Sequence, residues 1–257
     1  MTRPLVLIAP LLLAACGSGE WSTTTWGEDY IEEGIPSSEF ADSCSATFAQ
    51  FYVVLDDVAL LDGNDEAVSD EQPAMVFDLT QTGPHNLFSS EVPATYFDTV
   101  RYAVRPASDA VAGNVSDEVV SAMAGHSVHA TGSLTCGEDT ITFDWIFDTD
   151  TTYLCEPDDL TIPNGGTATT ELTIHGDHFF YDGLENPDAE VRGQLIVDAD
   201  ADEDGSVTHA ELAAVSIAPT GYSVGQYSDV TDLDQFITFL TRTLGHVDGE
   251  GHCQVNL

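Results

Sequence analysis

The chain has no lysine. Its fixed positive charges are five arginines, set against 45 acidic residues, for a formal net charge of −40. A surface of that sign repels phosphate backbones, which excludes a DNA- or RNA-binding role. It attracts cations, and it tolerates salt, which screens its self-repulsion. Outside the first 15 residues no segment is apolar enough to cross a membrane as a helix. No repeat of fixed period is present. Several catalytic signatures are also missing. There is no Gly-x-Ser-x-Gly, no His-Glu-x-x-His and no glycine loop of the phosphate-cradling kind. Carboxylate pairs are too abundant in this chain to point to a catalyst. Cysteine is scarce, at five residues, so each one can be given an expected role.

The N-terminus reads Met-Thr-Arg, then an apolar run from Leu5 to Ala15, then Cys16-Gly17-Ser18-Gly19. One positive residue followed by a short apolar run has the form of a secretory signal. The tetrapeptide Leu13-Ala14-Ala15-Cys16 resembles the lipobox of bacterial lipoproteins. The resemblance implies removal of residues 1–15, acylation of Cys16 and anchoring to a membrane through lipid. Gly17 rather than Asp at the second mature position implies the outer membrane under that family's sorting rule. Cleavage would leave 242 residues, enough for one large or two modest domains, and removes Arg3 to give a net charge of −41. Four cysteines then remain, an even number in an oxidising compartment, which reads as two disulfides with three possible connectivities. Cys44–Cys136 with Cys155–Cys253 is the favoured set, since each pair brackets one half of the chain. A local Cys136–Cys155 bridge is the rival.

Residues 16–43 are polar and read as a lipidated tether whose distal part docks on the domain. Residues 44–160 carry strand signals. Ala46–Leu61 is rich in Phe, Tyr, Val and Leu, and Met75–Leu79 is short and apolar. Thr99–Ala107 alternates, and Thr140–Phe147 places Ile141, Phe143, Trp145 and Phe147 on one face. Period-two alternation of aromatic and β-branched residues predicts half-buried antiparallel strands, here of a β-sandwich. The segments Phe77–Leu79, Val92–Tyr96 and Val100–Tyr102 loosely resemble the β-sandwich domains of other bacterial surface lipoproteins. A short helix is predicted at Asp117–Met123 with Ser116 as its N-cap. Residues 161–257 read as a strand, Thr169–Ile174, followed by a small helical module. One helix is expected from the Asn186-Pro187 cap through Val191, Leu195 and Ile196. A second starts near Thr231, with Leu233, Phe236, Ile237, Leu240 and Leu244 as its buried stripe. The expected fold is mainly β, an antiparallel sandwich followed by that module.

The module contains Asp200-Ala201-Asp202-Glu203-Asp204-Gly205-Ser206-Val207-Thr208-His209-Ala210-Glu211, which resembles an EF-hand calcium loop at every diagnostic position. Ca²⁺ takes six to eight hard oxygens. The resemblance assigns carboxylates to Asp200, Asp202 and Asp204, a backbone carbonyl to Ser206, a water-holding side chain to Thr208 and a bidentate carboxylate to Glu211. Gly205 permits the sharp turn. Starting instead at Asp198 puts Glu203 at the turn and His209 at the last ligand, so that register fails. Even in so acidic a chain the full pattern arises by accident in roughly one sequence in a few hundred. Only one complete loop is present, which favours a structural calcium site over a calmodulin-like switch.

Two histidine clusters accompany the loop. One is His175-Gly176-Asp177-His178, with Tyr181 and Asp182 after it. The other is His246-Val247-Asp248-Gly249-Glu250-Gly251-His252, next to Cys253. Four imidazoles with nearby carboxylates suit Zn²⁺ or Cu²⁺. Some periplasmic copper-binding lipoproteins combine a β-sandwich, disulfides and histidine ligands, although their cysteine spacing differs. His126 and His129 are expected to be structural, and His85 and His209 solvent-exposed. The sequence therefore leads to a calcium-binding, lipid-anchored envelope protein. A copper- or zinc-binding protein using His175, His178, His246 and His252 is the alternative. A metal-dependent hydrolase built on His175, His178 and Asp182 is the third.

Overall fold

The computed structural model describes residues 17–184, 186–218, 220–249 and 251–255. The lipobox and Cys16 lie outside the described residues. The fold is mainly β. Its strands are β1 (Ser18–Trp26), β2 (Ser45–Leu61), β3 (Met75–Asp78), β4 (His85–Pro93), β5 (Tyr96–Phe97), β6 (Thr99–Val104), β7 (Val111–Ala112), β8 (Val128–Cys136), β9 (Asp139–Phe147), β10 (Thr151–Cys155), β11 (Leu160–Thr161), β12 (Thr167–Ile174), β13 (Ser206–Val207), β14 (Gly245–Val247) and β15 (Cys253–Val255). Among the described residues five short α-helices accompany them: α1 (Glu28–Glu32), α2 (Asp117–Ala122), α3 (Gln194–Val197), α4 (His209–Ala214) and α5 (Leu233–Leu240).

One sheet has the order β14-β12-β1-β4. The larger runs β13-β9-β8-β2-β6-β10-β15, with β3 and β7 attached beside β2. The alternation in the sequence explains the larger sheet directly. Ile141, Phe143, Trp145 and Phe147 of β9 are all buried, while Thr142, Asp144 and Ile146 face outward. β2 is 17 residues long and its register shifts twice, once between Asp56 and Ala59. There Asp57 has φ +50°, and Arg101 and Arg105 bind Asp57 and Asp56 at 2.8 and 2.7 Å. Two of the chain's few cations are thus used to hold a bulge. β6 stops at Val104, ahead of Arg105-Pro106, because proline has no N–H to give a ladder. Between the sheets lies an aromatic core in which Phe48, Phe51, Phe143, Trp145, Phe147, Phe179 and Phe180 pack edge-to-face or stacked.

Residues 18–26 do not form a tether. They are an interior strand, paired in parallel with β12 and antiparallel with β4. Trp21 is fully buried and its Nε1 donates to Thr170 Oγ1 at 3.0 Å. Ile31 and Ile35 are buried as well. Nor do residues 161–257 stand apart. β12 and β14 complete the smaller sheet, β13 and β15 extend the larger one, and one core cluster spans both halves of the chain. The expected helix after Asn186 is reduced to α3. Val191 instead bridges to Phe40 and Tyr181, and Arg192 is held by Asp182 and Glu190, so this stretch is drawn out along its neighbours. Helix α2 begins after Ser116, whose side chain makes no capping bond. Both favoured disulfides are present. Cys44–Cys136 ties the approach to β2 to the end of β8, and Cys155–Cys253 joins β10 to β15. Two disulfides mark a chain that folds in an oxidising, secreted or envelope compartment.

Candidate metal centres

The first site is built where β12 ends. His175 remains extended and its N–H donates to Leu244 O at 2.9 Å. The chain then makes one 3₁₀ turn, Gly176–Phe180, which is buried throughout. Phe179 and Phe180 anchor this turn in the aromatic core, which places Asp177 and His178 beside it. Gly176 is required sterically. A Cβ there would lie 2.7 Å from Ile31 Cγ1 and 2.9 Å from the Phe48 ring.

β14 brings the third imidazole. It pairs antiparallel with β12, with His246 opposite Thr173 and Gly245 opposite Ile174. Tyr102, stacked on Tyr153, donates its hydroxyl to His246 O at 2.9 Å. A side chain at position 245 would meet Tyr102 Oη at 2.4 Å, so glycine admits the tyrosine that fixes the strand. Ring centroids of His175 and His246 are 4.4 Å apart, those of His178 and His246 5.2 Å, and those of His175 and His178 5.4 Å. One ligand atom each from His175, Asp177 and His178 lies within 4.8 Å of the others. His175 and His178 are 4 % and 8 % exposed, and Asp177 is 7 % exposed.

Hydrogen bonding orients the rings. Thr243 Oγ1 has one proton and donates it to Leu240 O at 2.8 Å. His178 Nδ1, 2.9 Å from the same oxygen, must therefore be the donor. Its Nε2 then carries the lone pair. His175 Nε2 faces two acceptors, Gly249 O at 3.4 Å and Glu28 Oε1 at 3.7 Å. That assigns its proton to Nε2 and leaves Nδ1, which is 4.0 Å from Asp177 Oδ1. Tyr181 covers His178 at 4.6 Å and donates to Asp177 Oδ2 at 3.1 Å. The pKa of His178 is held well below that of an ordinary imidazole, first by burial, then by the repulsion of His246 and His175. A ring kept neutral is in the form that binds a metal.

Two residues suggested by the sequence are placed elsewhere. Asp182 is engaged by Arg192 Nε at 2.7 Å and Glu190 N at 2.9 Å, so Asp177 is the carboxylate beside the imidazoles. His252 is exposed and lines a different, acidic cleft with Asp158, Asp159 and Asp248. Glu28 and Thr243 escaped the sequence argument. Glu28 lies in the supposed tether, and Thr243 is an ordinary threonine at a helix end. Nothing local marks either one. Of the remaining histidines, His126 and His129 bind Asp148 and Asp144 at 2.6 and 2.7 Å, in keeping with structural roles. His209 is half-buried rather than free in solvent, with Nδ1 2.6 Å from Asp234 Oδ1. His85 is half-buried between Gln81 and Asn114.

The second site is the acidic loop. Oxygens of Asp200, Asp202 and Asp204 lie within 4.8 Å of one another. The loop's own amides aim them. Asp200 Oδ2 accepts from Gly205 N at 2.9 Å, and Asp204 Oδ1 accepts from Ser206 N at 2.8 Å. Gly205 has φ +81°, a conformation that a Cβ disfavours. Glu211 reaches back across the loop to Ala201 N at 3.2 Å and to Thr208 N at 2.9 Å, closing a capping box at the start of α4. These bonds hold the Glu211 carboxyl below the usual carboxylate range, the Thr208 amide contributing most. The strand of the loop lies in parallel against the sandwich. Ser206 pairs with Thr142 and Val207 with Phe143. Gly205 O accepts from Thr142 N at 2.8 Å and Val207 O from Trp145 Nε1 at 2.9 Å. Because carbonyls alternate along a strand, Ser206 O faces the other way, into the loop.

A helical pair connects the two sites. His209 on α4 binds Asp234 on α5, Leu233 N donates to Val215 O, and α5 runs into the 3₁₀ turn whose Thr243 holds His178.

No protein-family profile and no curated protein matches the chain. Among solved structures, MbnP from Methylosinus trichosporium is similar over 80 % of this chain and 92 % of its own, at 8 % identity and a TM-score of 0.39. A likeness this slight carries no argument about function.

Proposed function

We propose that the protein is a lipid-anchored cell-envelope protein that holds a transition metal, Zn²⁺ or copper, at His175, His178 and His246 with Asp177. The observation that carries this reading is the convergence of three imidazoles from two distant segments, His175 and His178 buried and His246 half-buried. Burying imidazoles without a bound cation costs desolvation and returns little, whereas a tetrahedral ion takes three nitrogens and one carboxylate oxygen at about 2.0–2.2 Å. The orienting bond from His178 to Thr243 is of the kind that tunes metal-ligating histidines. Softness of the ligands and the oxidising compartment both suit copper or zinc rather than magnesium or calcium at this site. Titration of the purified, metal-stripped protein with Zn²⁺ and Cu²⁺ tests it. One equivalent is expected to bind, and His175→Ala, His178→Ala and His246→Ala each remove that binding while His252→Ala retains it. Stoichiometric binding that survives all three substitutions would refute the assignment.

A second ion, Ca²⁺, is proposed for Asp200, Asp202, Asp204, Ser206, Thr208 and Glu211. The pairing of β13 with β9 favours it. In a paired EF-hand the loop strand leans on a second loop, and here the edge of the sandwich provides that support. Extracellular modules bind at roughly 10⁻⁴–10⁻³ M, so occupancy would be steady where calcium is millimolar. The ion then serves structure, stiffening the approach to α4 and α5.

A further inference from the structure

We infer that the end of the molecule where β1 begins is a lipid-facing pole, an uncharged cap resting on the membrane surface. The inference rests on acylation at Cys16, proposed above. It follows from how soon the fold starts. Gly17 O accepts from Ala94 N at 2.7 Å, Gly165 N donates to Ser18 O at 2.8 Å, and Glu20 N donates to Gly166 O at 2.8 Å. Gly17 is packed so closely that a Cβ would lie 2.2 Å from Asn164 Oδ1. The first residue after Cys16 is therefore already part of the folded body. One residue and a side chain reach about 7 Å, and the headgroup layer of a leaflet is on the order of 5–7 Å thick. With the acyl chains in the bilayer, the surface around Gly17 has to lie in or against the headgroups.

The composition of that surface supports the placement independently. Residues 17–19, 93–96 and 160–167 converge there through the end of β4, the β5–β11 ribbon and the start of β12. None of these 15 residues is charged, and the carboxylates nearest to them in sequence are Glu20, Glu91, Asp98 and Asp159. Most are exposed. Glu91 and Glu20 border it, accepting from Ser18 Oγ at 2.5 Å and Thr167 Oγ1 at 3.3 Å, and Asp98, Asp158 and Asp159 stand beside the β5–β11 ribbon. A body of net charge −40 is repelled by anionic lipid wherever its carboxylates face the membrane, and here they are confined to the border of the cap.

The test uses the full chain produced with its own signal, extracted from envelopes and weighed by mass spectrometry. It is then reconstituted into phosphatidylethanolamine–phosphatidylglycerol vesicles that carry a headgroup nitroxide. A fluorophore at Thr95→Cys should lose roughly half its emission or more, and one at Glu33→Cys, beyond the far end of β1, should keep it. Asn164→Cys and Asp29→Cys form a second pair that guards against a label disturbing one loop. An acylated protein quenched equally at both ends, or only at the far one, overturns the pole while the lipid anchor stands. A mass without the acyl groups overturns the anchor, and the pole with it.

Discussion

Replacing Thr243 by valine tests the metal centre without touching a ligand. The two side chains have nearly the same shape, so packing is preserved. The substitution removes the oxygen that accepts from His178 Nδ1 at 2.9 Å. His178 is 8 % exposed, so its N–H finds no water in exchange. Leaving a buried donor unsatisfied costs about 1–3 kcal/mol, and loss of an orienting partner typically weakens metal binding by about 10–100-fold. The metal-free protein should therefore melt lower, by roughly 2–4 °C per kcal/mol for a domain of this size. Zn²⁺ affinity, measured by competition with a chromophoric chelator, should fall by one to two decades, about 1.4–2.7 kcal/mol. Thr243→Ser keeps the hydroxyl and should restore most of the affinity. If Thr243→Val binds Zn²⁺ within about twofold of the parent while His178→Ala does not bind, the assigned proton at Nδ1 is wrong.

Three further outcomes follow from the same structure. The pKa of His178 is depressed in the fold, so the unfolded chain takes up its proton first as pH falls. Stability from this group is complete above about pH 6.5 and declines below it, at up to about 1.4 kcal/mol per pH unit. Denaturant melts from pH 7.5 to 5 should show this in the metal-free protein and lose it in His178→Asn. Millimolar Ca²⁺ should raise the melting temperature, and Glu211→Gln, which removes a charge but keeps the shape, should abolish most of that rise. A rise of equal size in the variant would remove Glu211 from the ligand set. Breaking Cys155–Cys253 as the double serine variant should cost about 2–5 kcal/mol, detectable as a lower denaturation midpoint with the chain still folded.

Much of the larger sheet was legible because its strands alternate cleanly. β9 reads Ile141, Phe143, Trp145, Phe147 down one face, and all four are buried. β1 was misread because its inward residues include Thr23 and Thr25, both wholly buried, beside Trp21. Buried threonines look polar in sequence, and the partner that buries them, β12, begins more than 140 residues later. The convergence of Asp200, Asp202 and Asp204 was legible because the spacing that produces it is local and fixed. The histidine centre was legible in half. His-x-x-His drew attention to His175 and His178, but choosing His246 over His252 depends on the register of β14 against β12, which no local signal carries. Likewise Asp177 replaces Asp182 because the chain makes one tight turn there, and Arg192 draws Asp182 away.

The parallel pairing of β1 with β12 also fixes an altitude. Glu20 lies opposite Thr167 and Trp26 opposite Thr173, seven matched pairs that run in the same direction away from Gly17. At about 3.3 Å per residue they rise roughly 20–25 Å, and His175 comes just beyond the last of them. On a molecule seated by the end at Gly17, the imidazoles stand at the other end of the β1–β12 pair, that distance from the lipid.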